Sequence, residues 1–146
     1  MKIQEFMHTE VVTVNRKESI AAANNKMMEK SIKHLPVVDD KGRLVGVVTP
    51  RDLRRGSIGE MTTMDVTELL WALSRINVAQ IMFANPVTIA PHQSAQDAAA
   101  LMVDKKIACL PVVEDGKLVG IVTERDILIV YGYGHGDRRT ARVTRL

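Results

Sequence analysis

The sequence predicts an α/β fold made from two copies of one unit, and three observations predict it. The first is repetition. Val12-Thr13-Val14, Ser19, Met27 and Leu35-Pro36-Val37-Val38 return 75 positions later as Val87-Thr88-Ile89, Ser94, Met102 and Leu110-Pro111-Val112-Val113, until Lys41 shifts the spacing by one residue. A repeat of this length signals duplicated structural units. The second is the pair of runs Leu44 to Val48 and Leu118 to Val122, nearly all apolar apart from Gly46 and Gly120, as expected of strands covered on both faces. The third is a pair of alanine-rich helical segments able to approach a sheet closely. With 146 residues, 46% of them hydrophobic, the chain can bury one ordinary core, so the two halves are expected to form one compact domain.

Each copy opens with a short β-rich segment, Glu10 to Val14 and Pro86 to Ile89. Ser19 and Ser94 then stand where N-caps belong. Asp97, three residues after Ser94, completes a capping box, and Ala98, Leu101, Met102 and Lys105 follow at helical spacing. Pro36 and Pro111 end the helical pattern, and Val37-Val38 and Val112-Val113 begin strands. Turns follow at Asp39-Asp40-Lys41-Gly42 and Glu114-Asp115-Gly116, where Lys41 changes only the loop length. The glycines in the next strands predict a close backbone approach. Residues Arg55 to Met64 lack periodicity and read as a loop. Asp65, with Glu68 three residues on, caps an amphipathic linker helix whose apolar face is Val66, Leu69, Leu70, Leu73 and Ile76; Trp71, at the edge of that stripe, is expected to fill a core groove in preference to anchoring a dimer.

The formal net charge is +3, but residues 1 to 130 hold 16 basic and 16 acidic side chains, so the excess belongs to the tail, which carries Arg138, Arg139, Arg142 and Arg145. A solvated tail is favoured over a nucleic-acid contact for so short a segment. Cys109 is the only cysteine, which excludes an intramolecular disulfide and fits a reducing cytoplasm. No run approaches a membrane span, and no signal sequence stands at the N-terminus, so a soluble cytoplasmic protein is expected. No P-loop, dinucleotide fingerprint, nucleophile–base motif or metal pattern is present in the sequence, so no enzymatic activity is expected. His8, His92 and His135 share no ligand spacing and read as surface groups.

The chemistry concentrates at Thr49-Pro50-Arg51-Asp52 and Thr123-Glu124-Arg125-Asp126, each following a strand and opening a helix. Thr as N-cap with Asp at the third helical position is a capping box, and Pro50 suits the first helical position. The same geometry gathers backbone N–H groups and a positive dipole end beside a hydroxyl, a guanidinium and a carboxylate, where a phosphate and a ribose can be held. Capping alone would tolerate other residues at the threonine and any at the arginine. A ligand role needs the two acids open, not engaged by the chain's own side groups.

The strand-turn-strand pattern ending in Gly-h-h-Thr-x-x-Asp (h, an apolar residue), preceded by Leu-Pro-Val-Val, resembles the CBS domain, and two in tandem resemble a Bateman module. Leu69-Leu70-Trp71-Ala72-Leu73-Ser74-Arg75-Ile76 running into Val78-Ala79-Gln80-Ile81-Met82 is similar to acetoin-utilisation-type CBS proteins. The resemblance implies two β-α-β-β-α units packed about a pseudo-twofold axis, spanning residues 1–54 and 76–130, with the loop and linker helix at 55–75 and the basic tail at 131–146. It also implies clefts between the units for AMP, ADP, ATP, S-adenosylmethionine or NADH. Carried over by position, Asp52 and Asp126 take ribose hydroxyls, Thr49 and Thr123 contact ribose or phosphate, and Thr13 and Thr88 reach the sugar-phosphate side. His34 and Cys109 border the base, although His34 reads equally as a partly exposed loop residue, and Arg51 and Arg125 are phosphate candidates. No covalent cofactor is implied, and an accompanying Mg2+ is left open. The expected partners are a small-molecule nucleotide, a second copy in a homodimer, and an unidentified regulated protein. The rivals are a ligand-free dimerisation or scaffolding module, and a nucleic-acid-binding regulator acting through the tail.

Overall fold

A computed structural model describes residues 1–58 and 65–133. The expected basic segment from residue 134 onward, and residues 59–64 of the expected loop, lie outside the described residues. The chain is mixed α/β and divides into two compact units. Among the described residues, one comprises 10–58, 65–87 and 115–118 and carries Asp52; the other comprises 1–9, 88–114 and 119–133 and carries Asp126.

In the Asp52 unit, β1 (Val14–Asn15) runs parallel to β2 (Leu35–Val38), which pairs antiparallel with β3 (Leu44–Val48). α1 (Ile20–Lys30) joins β1 to β2 and starts at Ser19, whose hydroxyl accepts from Ala22 N–H at 3.1 Å. α2 (Pro50–Ile58) follows β3, so residues 55–58, expected as loop, continue the helix that Thr49 caps. α3 (Val66–Arg75) is the linker helix; Asp65 accepts from Glu68 N–H at 2.8 Å, as its spacing predicts. Its inward face is narrower than the sequence stripe. Ala72 is buried and Leu73 and Ile76 lean on the core, whereas Val66 and Leu70 are exposed. Trp71 does not fill a core groove: it is 62% exposed, with the Arg75 guanidinium 4.5 Å from its ring centre. That cation–π contact serves a ring left at the surface. The core of this unit gathers Val14, Ile20, Ala23, Met27, Leu35, Val37, Val48, Leu53 and Val78.

Strand β4 (Phe83–Ala84) completes that sheet by pairing antiparallel with β3, Val47 opposite Phe83 and Gly46 opposite Ala84. Sequence order would assign these residues to the second copy. The matching opening, residues 1–9, lies in the Asp126 unit, where His8 bridges Ile121 antiparallel. The main-chain bonds show the same exchange on both sides. Val78 N–H donates to Glu18 C=O at 2.8 Å and Ala79 N–H to Arg16 C=O at 3.0 Å; 75 positions away, Ile3 N–H donates to Gln93 C=O at 2.8 Å and Gln4 N–H to Pro91 C=O at 2.9 Å. Each opening closes down on a strand glycine. A Cβ on Gly46 would stand 2.5 Å from Met82 Sδ and 3.0 Å from Phe83 O, and one on Gly120 would stand 2.6 Å from Met7 Sδ and 3.0 Å from His8 O. The close approach expected of both glycines is therefore made by the exchanged segment.

The rest of the Asp126 unit repeats the plan with α4 (Ala95–Lys105), β5 (Cys109–Glu114), β6 (Lys117–Thr123) and α5 (Glu124–Tyr133). Ser94 and Asp97 form the expected capping box at the start of α4, and Ile89 bridges Val112 in parallel, as Val14 does Val37. Asp115 and Gly116 both have positive φ, at 50° and 77°, which a two-residue hairpin loop of type I′ requires. Lys41 lengthens the other hairpin, and there only Gly42 takes positive φ, at 76°, while Asp39 accepts from the N–H groups of Lys41 and Arg43 at 2.9 Å each. Among the described residues no helix is long and apolar enough to cross a membrane.

Candidate functional site

Register alone gathers three of the candidate residues at one end of the Asp52 sheet, and a helix cap adds a fourth. β1 and β2 run parallel with Val14 opposite Val37, which puts Thr13 and His34 towards the same end. β3 runs back to that end, Val48 opposite Leu35, and delivers Thr49 there. Thr13 and His34 are half-buried, and the Thr13 carbonyl accepts from Lys26 Nζ at 2.9 Å. Thr49 caps α2, and Asp52 reaches back over it: Asp52 Oδ2 accepts from Thr49 N–H at 2.9 Å and from the Thr49 hydroxyl at 3.0 Å. Asp52 is buried, at 8% exposure, whereas Arg51 on the same first turn is exposed.

The Asp126 unit builds the same corner. Asp126 Oδ2 accepts from Thr123 N–H at 2.8 Å and from the Thr123 hydroxyl at 3.0 Å. Glu124 N–H donates to Ala108 C=O at 2.9 Å, which holds the helix start against the residue preceding Cys109. Cys109 is buried; burial first, and the Asp126 carboxylate second, push its thiol up to about 12. It is a small buried residue beside the acid and not a nucleophile. Thr88, next to the bridging Ile89, and Arg125 are exposed. Among the described residues no group of three or more His, Cys, Asp or Glu side chains could hold a metal ion.

The two acids are not open, so the condition set by the sequence for a ligand role is not met as the structure stands, and any ligand there has to displace the side chains that close them. Each has one oxygen in its capping box and the other in the grip of a side chain from its own unit. Arg55 Nη2 donates to Asp52 Oδ1 at 2.8 Å, and His8 Nε2 lies 2.9 Å from Asp126 Oδ1. Both holders stand at the surface, with side chains 70% and 61% exposed, over carboxylates only 11% and 12% exposed. Sequence reasoning missed both. Arg55 was readable, since a cation three residues after an acid on a helix can reach it. His8 had no local signal, because its partner stands 118 residues away.

The profile of the CBS domain family matches residues 3–59 and 78–133. A CBS domain-containing protein of Dictyostelium discoideum is 34% identical over 127 residues, covering 86% of this chain and 88% of that protein. An inosine-5'-monophosphate dehydrogenase of Korarchaeum cryptofilum is 33% identical over 127 residues, but the match spans only 23% of that enzyme. Among solved structures, a putative acetoin utilization protein of Vibrio cholerae shares 27% identity at a TM-score of 0.75, covering 90% of each chain. CBSX2, solved with AMP, shares 30% identity at a TM-score of 0.73 and covers 89% of this chain and 95% of its own. The CBS domain pair of protein MJ0100, solved with 5-methylthioadenosine and S-adenosyl-L-methionine, shares 26% identity at a TM-score of 0.76 over 92% of this chain and 98% of its own.

Proposed function

Because this chain belongs to the CBS domain family and is a tandem pair of such domains, we propose that it is a non-catalytic regulatory module that binds an adenosine-containing ligand at the two strand-end acids. AMP, ADP or ATP is the favoured class, with S-adenosylmethionine and NADH as alternatives within the same chemistry. The observation that carries this reading is the doubled corner itself: a mostly buried carboxylate folded back onto a strand-end threonine at a helix start, with an exposed arginine on the first turn. Asp52 and Asp126 take the ribose hydroxyls, Thr49 and Thr123 lie beside the sugar, and Arg51 and Arg125 meet phosphate. Thr13, His34, Thr88 and Cys109 line the approach. Solved relatives carrying AMP or S-adenosylmethionine support the ligand class.

Occupancy is passed on as a shift in population between conformations, by no more than the ligand's difference in affinity for them. The signal goes to a partner protein from a homodimer of the chain. Thermal unfolding with AMP, ADP, ATP, S-adenosylmethionine and NADH tests the reading against a ligand-free scaffold. A true ligand at one hundred times its Kd stabilises the fold by about 2.7 kcal/mol. An unmoved midpoint with all five leaves the scaffold.

A further inference from the structure

Arg55 and His8 perform one task by different routes. Arg55 comes from α2, three residues past Asp52, whereas His8 comes from the exchanged N-terminal segment and reaches Asp126 from the side of β6. At the position matching Arg55 the other copy has Ile129, and at the position matching His8 it has Phe83, so neither holder is shared by the two copies. The two pairings thus close matching oxygens of the two acids from different elements. The carboxylates explain why a holder is needed. With Oδ2 spent on the cap, Oδ1 of a largely buried acid would stand without a donor, which costs more than an ordinary surface hydrogen bond contributes. The holders have no such constraint, being solvent-exposed and free to leave.

We propose that Arg55 and His8 are place-holders that occupy the ribose-accepting oxygen of Asp52 and Asp126 until a ligand hydroxyl displaces them, and so set the affinity of each site. This rests on the ribose role proposed above. Removing a holder raises the energy of the empty site and leaves the filled one unchanged, so the ligand binds more tightly.

Titration calorimetry of the full chain with adenosine and with AMP tests this. His8→Phe is read in an Asp52→Asn background and Arg55→Ile in an Asp126→Asn background, so that one site reports at a time. Each substitution installs the residue that the matching position already carries, and His8 keeps its main-chain pairing with Ile121 whatever its side chain. His8→Ala and Arg55→Ala serve as a second pair should either variant fold poorly. The expected result is a gain of about three- to tenfold in affinity, the worth of one such hydrogen bond, equal for both probes. Unchanged affinity overturns the proposal. So does a loss confined to AMP, which would make the holder a phosphate contact. If the parent chain binds neither probe, the ribose reading itself has failed; if the parent binds and the variants do not tighten, only the place-holder has.

Discussion

The Asp52 and Asp126 units carry the same corner on different surroundings, and the difference separates what the corner requires from what surrounds it. Common to both are the strand-end threonine, the acid three residues on, and the strand glycine under the exchanged segment. The exposed first-turn arginine is shared as well, but other neighbours have diverged. The residue before Leu-Pro is a half-buried histidine in one unit and a buried cysteine in the other. The helix opens on Pro50 in one and on Glu124 in the other. One acid is held by a guanidinium and the other by an imidazole. The constant part is the geometry that presents a carboxylate at a helix mouth, and the variable part is the charge around it.

The largest effect expected from that divergence is at Cys109. A thiol pushed from 9.0 to about 12 holds roughly a thousandth of the thiolate of an ordinary cysteine at neutral pH. Iodoacetamide should therefore modify native Cys109 at least a thousandfold more slowly than the unfolded chain. Comparable rates would show that the residue is open to solvent. Because the folded thiol titrates above the unfolded one, its contribution to stability is complete below pH 9.0 and is lost as pH rises toward about 12.

Next in size is the glycine under each exchanged segment. Gly46→Ala and Gly120→Ala should each cost about 1–3 kcal/mol, as overpacking does, since a carbonyl oxygen at 3.0 Å cannot give way as the methionine can. Denaturant midpoints check this. Equal costs at the two sites are expected from the matching distances, and a cost at one alone would break the equivalence of the two exchanges.

The smallest effect separates the two long helices. α4 has the full Ser94–Asp97 box, whereas α1 has Ala22 where Asp97 would stand. The Ser94 N–H, then the Ser94 hydroxyl, holds the Asp97 carboxylate below its ordinary 3.8. Since the folded value is the lower one, the box stabilises fully above 3.8 and is lost as pH falls through the folded value. The advantage of the parent over Asp97→Ala in thermal unfolding should shrink as pH falls below 3.8, and an advantage undiminished in acid would contradict the assignment.

Much of this was legible in the sequence, and what was not has a physical reason. Caps and turns are local, so Ser19, Ser94, Asp65 and the Asp115-Gly116 turn announced themselves by spacing. The repeat announced the doubled unit, and the placing of Thr13, His34 and Thr49 at one sheet end followed once register was fixed. The exchange of openings was hidden. The Ile3 to Met7 and Val78 to Met82 segments match each other in sequence, but nothing local says which sheet each joins. His8 was hidden for the same reason, and Trp71 because an apolar stripe does not reveal how much of it a neighbour covers.

The central claim is that Asp52 and Asp126 grip a ribose. The most direct test is calorimetric titration of the full chain with AMP and with its 2′,3′-dideoxy analogue, which keeps base and phosphate and removes the two hydroxyls. The account predicts that the analogue binds about tenfold more weakly, since it forfeits the hydrogen bonds that the hydroxyls of AMP would make to the two acids. Equal affinity for the two would contradict it.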